Sequence, residues 1–600
     1  MPSPSLLQRL KERKLVHWAL AYLAGAFVVF QGVEVMAEPW SISPALQRAI
    51  HILLLIGLCV TLVLAWYHGE MGRQRVSGPE LLMVAALLVV AGVALSTLGP
   101  GDEASSPGET ATAAVEEDDR PSIAVLPFDD FSPNPDGAYF ANGMHEEIIS
   151  KLLKIAALRV ISRNSVMQYR EERKPTPQIA AELGVDFLLQ GSARIAGDQV
   201  RLTAQLIDAR RDEHLWQDDY DQGLSVENLI STQSDIAQQV AHAVGASLTG
   251  DEQARIEAVP TENLQAYEAY MIGRYHLERR DDLDGAFSEA VRYFRLAIQQ
   301  DSELAVAHSG LAGAYALIAM LGVSDPREMW PQVERWARSA LAIDRTDALA
   351  HRMLAYSGWS RTWDWEEGER GLRRAIELSP SDPNGHVAYA DFLMAQGRID
   401  EGSEEGKIAA ALDPLSSHTL SSQARWVFLS RRYEEADQLA EAFFARDPDN
   451  ITAMWFLGAS FVLGGHPEKV PRLSQHLSAD PTRMTPAIRA ASSIYLSLIG
   501  EADSARVELD HAMASSGDRY LEPGYVWPAY AALGDLDAAF RWMERGIEVQ
   551  AWSAAFLGVT PLADPLRDDP RYQAILDRIG LGHLRARFDS LAAADPRGGT

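Results

Sequence analysis

Apolar and polar positions follow three patterns along these 600 residues. The first is a set of long runs almost free of charge: His17 to Ala37, Ile50 to Tyr67 and Leu81 to Leu98. At about 1.5 Å of rise per residue, runs of 18 to 21 residues reach ~27–31 Å, enough to cross a bilayer core. They predict three transmembrane helices. The second pattern, over residues 121–250, alternates short β-rich runs with amphipathic stretches. SIAVLPF (Ser122 to Phe128) predicts a strand buried on both faces. Leu202, Ala204 and Leu206 alternate with Arg201, Thr203 and Gln205, a half-buried strand. Met144, Ile148, Leu152 and Ile155 recur at helical spacing, and a long helix is predicted over 226–248. The third pattern fills residues 260–583 with paired helices, and one phrase returns at the end of each second helix.

That phrase reads AIQQDS (Ala297 to Ser302), ALAIDR (Ala340 to Arg345), AIELSP (Ala375 to Pro380), AAALDP (Ala409 to Pro414), FFARDP (Phe443 to Pro448) and HLSADP (His476 to Pro481). Its last residues lie 43, 35, 34, 34 and 33 apart. Proline stops the second helix, because it has no amide hydrogen and its ring clashes with the preceding turn. This pattern resembles the tetratricopeptide repeat (TPR). The resemblance implies a right-handed superhelical solenoid of seven or eight helix pairs, with first helices forming a concave face that takes a protein or peptide segment. Gly273 is read as a close helix approach, residues 321–331 as an insertion, and the polar stretch 561–581 as the cap that such an array needs.

Within residues 121–250, SIAVLPF, YFANGMHEEIISKL, LRVISRNS, AAELGVDFLLQGSAR, VRLTAQLIDA and HLWQDDYD occur in order. Together they resemble the TolB amino-terminal-like domain, an α/β family that precedes TPR arrays in many bacterial proteins. The resemblance implies an interaction role outside the cytoplasm and brings no catalytic residues. Such tandems often follow a DNA-binding, nucleotide cyclase or kinase domain; here they follow a basic arm and the three apolar runs.

The expected fold class is multidomain: three transmembrane helices, a small α/β domain of TolB amino-terminal-like type, and an all-α TPR superhelical solenoid. Its parts are a basic cytoplasmic arm (1–16), the membrane region (17–98), a flexible acidic linker (99–120), the α/β domain (121–250), the solenoid with its cap (260–583) and a tail (584–600). Arg9, Lys11, Arg13 and Lys14 precede the first run, Arg73 and Arg75 lie between the second and third, and Arg48 alone lies between the first and second. The positive-inside bias then places both folded domains outside the cytoplasm. The expected location is the inner membrane, multi-pass, with these domains in the periplasm.

A formal net charge of −29 argues against a nucleic-acid partner, which needs a basic face. Cys59 is the one cysteine, so no disulfide forms within the chain. There is no GxxxxGK[ST] run and no kinase glycine loop with its catalytic companions. His145-Glu146-Glu147 lacks a second His four residues on, because Ile149 stands there, and is read as a solvated helix face. Gly191-Ser192-Ala193 sits inside a predicted strand, away from any strand-to-helix elbow. No catalytic, metal or cofactor residue is assigned, and the chain is read as a non-enzyme. Two groups are candidates for peptide binding. Trp363 and Trp365, beside acids 364, 366 and 367, make either a groove edge or a packed inter-helix turn. Arg431 and Arg432 either clamp a carboxylate or lie in a solvated turn. The expected function is a membrane-anchored scaffold for protein or peptide partners. The alternatives are a signalling subunit of a membrane complex, or an accessory part of a cyclase- or kinase-type system.

Overall fold

The computed structural model describes residues 118, 120–133, 137–172, 174–278, 283–448, 454–479, 484–517 and 520–585, all within one compact unit spanning residues 112–600. Among the described residues no helix is long and apolar enough to cross a membrane. The expected fold class with three transmembrane helices, and the multi-pass inner-membrane location, are corrected on that finding: the architecture is an α/β module with a helical-repeat array. The runs at 17–37, 50–67 and 81–98, with the basic arm, the linker to residue 117 and the tail from 586, lie outside the described residues.

All four residues of β1 (Ser122–Val125) are buried. There follow β2 (Asp129–Asp130), α1 (Gly137–Leu152), β3 (Arg159–Val160), α2 (Thr176–Leu183), β4 (Phe187–Ala196), β5 (Gln199–Asp208), β6 (Glu213–Gly223), α3 (Val226–Ala243) and α4 (Gly250–Glu257). The sheet order is β3-β1-β4-β5-β6, with β2 also paired to β4. β1 runs parallel to β3 and β4, and β4, β5 and β6 form an antiparallel meander. The parallel end is covered on both faces: Ile123 and Val125 join α1 and α3 in one apolar cluster, while Ala124 and Leu126 join Ile179 and Leu183 of α2 in another. In β5, Val200, Leu202, Ala204 and Leu206 are buried and the residues between them are not, as in a sheet packed on one face. His145, expected on a solvated face, is instead fully buried beneath β1, its Nε2 donating to the Val125 carbonyl at 2.9 Å. Burial pulls its pKa down to about 4, so the ring stays neutral.

Eight helix pairs follow among the described residues. They are α5–α6 (Leu264–Glu278, Leu283–Gln300), α7–α8 (Ala305–Met320, Pro326–Ile343), α9–α10 (Ala348–Ser357, Trp365–Leu378) and α11–α12 (Pro383–Ala395, Ile399–Leu412). Then come α13–α14 (Ser417–Leu429, Tyr433–Arg446), α15–α16 (Met454–Leu463, Val470–Ser478), α17–α18 (Pro486–Leu498, Ala502–Ser516) and α19–α20 (Trp527–Ala532, Leu536–Glu548). The two helices of a pair differ in how they are covered. In α11 every residue but Asn384 is buried, since a first helix touches neighbours on all sides. In α10 only Gly368, Leu372, Ala375 and Leu378 are buried, one stripe of an outer helix. The small residues of the recurring phrase, Ala297, Ala340, Ala375 and Ala409, are all buried where helices meet closely. Phe294 needs that room: a Cβ on Gly273 would lie 2.9 Å from its ring, and one on Gly310 would lie 2.7 Å away.

The array does not stay open. After α20 the chain turns through Trp552–Phe556 and Pro561–Leu566 into α21 (Pro570–Arg578) and packs back on the earlier pairs. Trp330 Nε1 donates to the Gln550 carbonyl (3.1 Å), and Trp365 Nε1 donates to that of Ile579 (2.8 Å). Arg431 donates twice to Asp564, at 2.6 Å each. The α/β module is built into the same body. Ser162 N donates to Leu412 O (2.8 Å), Ser165 Oγ to Asp413 (2.7 Å) and Ser381 Oγ to Leu158 O (2.8 Å). One apolar cluster runs from Ile123 to Leu584. Separate cores for the two parts, which their distinct sequence patterns imply, are not what forms.

Candidate ligand chamber

Closure leaves a cavity of about 1330 Å³ between the α/β module, the first helices of the middle pairs and the returning C-terminal segment. First helices line it because they form the inner layer: Ser309 and Leu317 come from α7, Arg352 and Tyr356 from α9, Asp391 from α11 and Arg425 from α13. Lys151, in the last turn of α1, and Lys154, just past it, also line the cavity, and Trp552 and Phe556 come from the returning segment.

Most charges in this chamber are paired. Arg352 donates to Asp382 (2.7 Å), and Arg425 donates to Asp391 (2.6 Å). Asp391 also accepts from Trp426 Nε1 at 2.6 Å. The Arg425 guanidinium lies 5.1 Å from the centre of the Trp552 ring, a cation–π contact. Where α1 meets α5, Arg274 holds both Glu146 and Glu147. Lys151 Nζ donates to the Ile256 carbonyl, and Lys154 Nζ donates to that of Arg255 at 3.3 Å. Burial lowers the Lys151 pKa to about 8 and lowers that of Lys154 as well.

Several polar atoms of lining residues, among them Arg425 Nε, Arg255 Nε and Asp347 Oδ2, are buried without a partner among the described residues. Tyr356 is 7% exposed and lines the cavity, and its hydroxyl makes no hydrogen bond among the described residues. Burial holds that hydroxyl above its ordinary pKa, so it keeps its proton. The indole Nε1–H of Trp552 is buried with no acceptor among the described residues.

The residues singled out in the sequence fall elsewhere. Trp365 is half-buried, stacks on Trp359 with ring centres 5.8 Å apart, and spends its indole N–H on Ile579. Trp363, at φ +56°, packs beside it with ring centres 6.3 Å apart. Arg431 holds a carboxylate, that of Asp564 in the same chain, while Arg432 is exposed and pairs with Glu435 at 3.2 Å. None of the four lines the chamber. Arg352 and Tyr356, which do, stand four apart on a first helix, a spacing readable in the sequence. Trp552 gives no such signal, because it reaches the chamber only through the fold-back.

A family model described as HilA/YgeH-like transcriptional regulator, second domain, matches residues 118–239, the stretch that carries the TolB amino-terminal-like resemblance. A protein of Rhizobium meliloti (strain 1021) named "Putative adenylate cyclase 3" is 31% identical over 306 residues, which is 51% of this chain and 46% of that protein. The type IV pilus assembly protein PilF of Pseudomonas aeruginosa is 28% identical over 81 residues, 14% of this chain and 32% of PilF. The chain thus spans less than half the length of these curated relatives. Among solved structures, YrrB, described as a TPR protein with an unusual peptide-binding site, has 16% identity and a TM-score of 0.22, covering 34% of this chain and 96% of that one.

Proposed function

We propose that this helical-repeat protein is a non-catalytic recognition scaffold whose chamber takes an extended peptide segment of a partner. The observation that supports this most is the lining. Successive first helices α7, α9, α11 and α13 present side chains to one continuous cavity of about 1330 Å³, somewhat larger than the roughly 300–1,000 Å³ of sites for drug-sized ligands. A space of that size suits a few residues of extended chain and excludes a folded domain. On this reading the α/β module, which resembles the TolB amino-terminal-like domain in its six sequence blocks, forms one wall and sets the chamber's length. Placing a photo-crosslinking residue at Leu317, on the chamber wall, and another at Val507, which is 51% exposed, tests this in the full chain. Peptide adducts should form from position 317 and not from 507; equal capture at both refutes the reading.

The name of the Rhizobium relative favours one alternative, an accessory role in a nucleotide cyclase system. Under the scaffold reading the purified full chain turns over neither ATP nor GTP. Turnover that co-elutes with the protein through successive columns would overturn it.

A further inference from the structure

Away from the chamber, the sheet ends on a strand with a free side. Among the described residues β6 has β5 as its one strand neighbour, and no residue of Glu213–Gly223 is buried. Trp216 to Gly223 pair one to one with β5, so about 26 Å of regular strand runs along the edge. In an edge strand alternate residues turn their N–H and C=O groups outward, unpaired. Leu215, just before that run, is an extra residue, a bulge between the Leu206–Trp216 and Ile207–His214 pairs. Its side chain is 41% exposed, an apolar contact left unfilled at one end of the free side. None of residues 213–223 lines the chamber.

Charge decides what this edge can take. Glu213, Asp218, Asp219 and Asp221 are all exposed. Asp221 meets Arg201 at 3.2 Å, but both side chains are largely in water, so the pair is weak. Asp219 accepts from the Thr203 hydroxyl at 2.6 Å, and Asp218 accepts from the Asp219 amide at 2.9 Å. A second copy laid edge to edge would bring these carboxylates together, and like charges opposed across a ladder destabilise it. An extended segment with Lys or Arg at every second position does the reverse. Asp219 and Asp221 stand on one face of β6, opposite Thr203 and Arg201, so alternate cations meet both.

We infer that the free side of β6 takes a basic, extended segment of a partner protein by strand addition. The outward N–H and C=O groups bind its backbone, Asp219 and Asp221 bind alternate cationic side chains, and Leu215 covers an apolar residue at one end. This surface is separate from the chamber and stands whether or not the chamber takes a peptide.

Calorimetric titration of the full chain uses three peptides. They are acetyl-Val-Lys-Val-Lys-Val-Lys-amide, its Glu counterpart, and the Lys peptide with every backbone amide N-methylated. The Lys peptide should bind about tenfold more tightly than the Glu peptide, since two cross-strand charge pairs change sign. The methylated peptide keeps the charge and loses the backbone donors, so it should not bind. Asp219→Lys combined with Asp221→Lys, at two exposed positions, should reverse the preference between the Lys and Glu peptides. Hydrogen exchange of the unaltered chain gives a second readout: the Lys peptide should slow alternate amides within 216–223. Equal binding of the methylated and unmethylated Lys peptides would reduce the edge to a charged surface and overturn strand addition. Slowed exchange along α7, α9 and α11, with none at 216–223, would put the peptide in the chamber and overturn this site. Concentration-dependent slowing of 216–223 without peptide would put a second copy on the edge and overturn it too, as would no binding of the Lys peptide.

Discussion

Replacing Arg431 with alanine should loosen the return of the C-terminal segment onto the array. Arg431 donates two hydrogen bonds of 2.6 Å to Asp564, and its side chain is only 9% exposed. Hydrogen bonds to charged groups contribute about 1.5–3 kcal/mol each, but two corrections lower the sum. Asp564 is 35% exposed, so water replaces part of what is lost, and Arg567 Nε still holds it at 2.6 Å. The carboxylate is therefore not stranded, and the net loss should be about 2–3 kcal/mol. Backbone geometry supplies an internal control. Arg431 sits at φ +62°, a left-handed conformation that costs a residue with a Cβ about 1–2 kcal/mol. Arg431→Gly loses the same ion pair but relieves that cost, so it should be less destabilising than Arg431→Ala by about 1 kcal/mol. Arg432→Ala, at an exposed neighbour, should cost under about 0.5 kcal/mol. Urea unfolding gives the totals, and hydrogen exchange at residues 552–581 locates the loosening. If Arg431→Ala behaves like Arg432→Ala, the Arg431–Asp564 pair does not fasten the returning segment, and the account of closure is wrong.

Three further outcomes follow from the packing. Ala409 is fully buried, so Ala409→Leu should cost about 1–3 kcal/mol by overpacking, while Glu404→Ala on the exposed face of the same helix should stay within about 0.5 kcal/mol, both read from thermal melts. Gly273→Ala would place a Cβ 2.9 Å from the Phe294 ring and should lower stability by a similar ~1–3 kcal/mol; melting unchanged from the parent would refute that tight contact. Asp413, 2% exposed and held by the hydroxyls of Ser165 and Thr419, has its pKa raised by burial. Its contribution to the docking of the α/β module is therefore fully present below the ordinary carboxylate value and is lost as pH rises through the raised one. Exchange of amides 411–415 should be more protected at about pH 4.5 than at about pH 7.5 once intrinsic rates are divided out, and Asp413→Asn should flatten the difference.

Much of the helical array is legible in the sequence, because period and stop signals are local. The recurring small residue, the Asp-Pro or Ser-Pro stop and the one-sided stripe of each second helix depend only on neighbours within a turn or two. The strands with clear alternation, such as β5, are legible for the same reason. Closure is not, because it rests on contacts such as Trp330 with Gln550 and Trp365 with Ile579, more than two hundred positions apart. Nothing in the local pattern of Trp365 distinguishes an indole that meets a peptide from one that meets a backbone carbonyl of the same chain. His145 fails in the reading for a related cause. A histidine between a methionine and two glutamates looks solvated, and only the strand laid over α1 buries it. The chamber lies at the edge of legibility: Arg352 and Tyr356 share a helix face, but what faces them depends on the return of the chain.

An open repeat array can lengthen or shorten by whole units, since each unit touches only its neighbours. Here the segment after the last pair must reach Trp330, Trp365 and Arg431 at once. Removing one helix pair would move its start by a full step along the superhelix and leave those partners unmet. The number of helix pairs between Trp330 and the returning segment is therefore fixed by those contacts, and additions of chain should be tolerated in loops that stand clear of them.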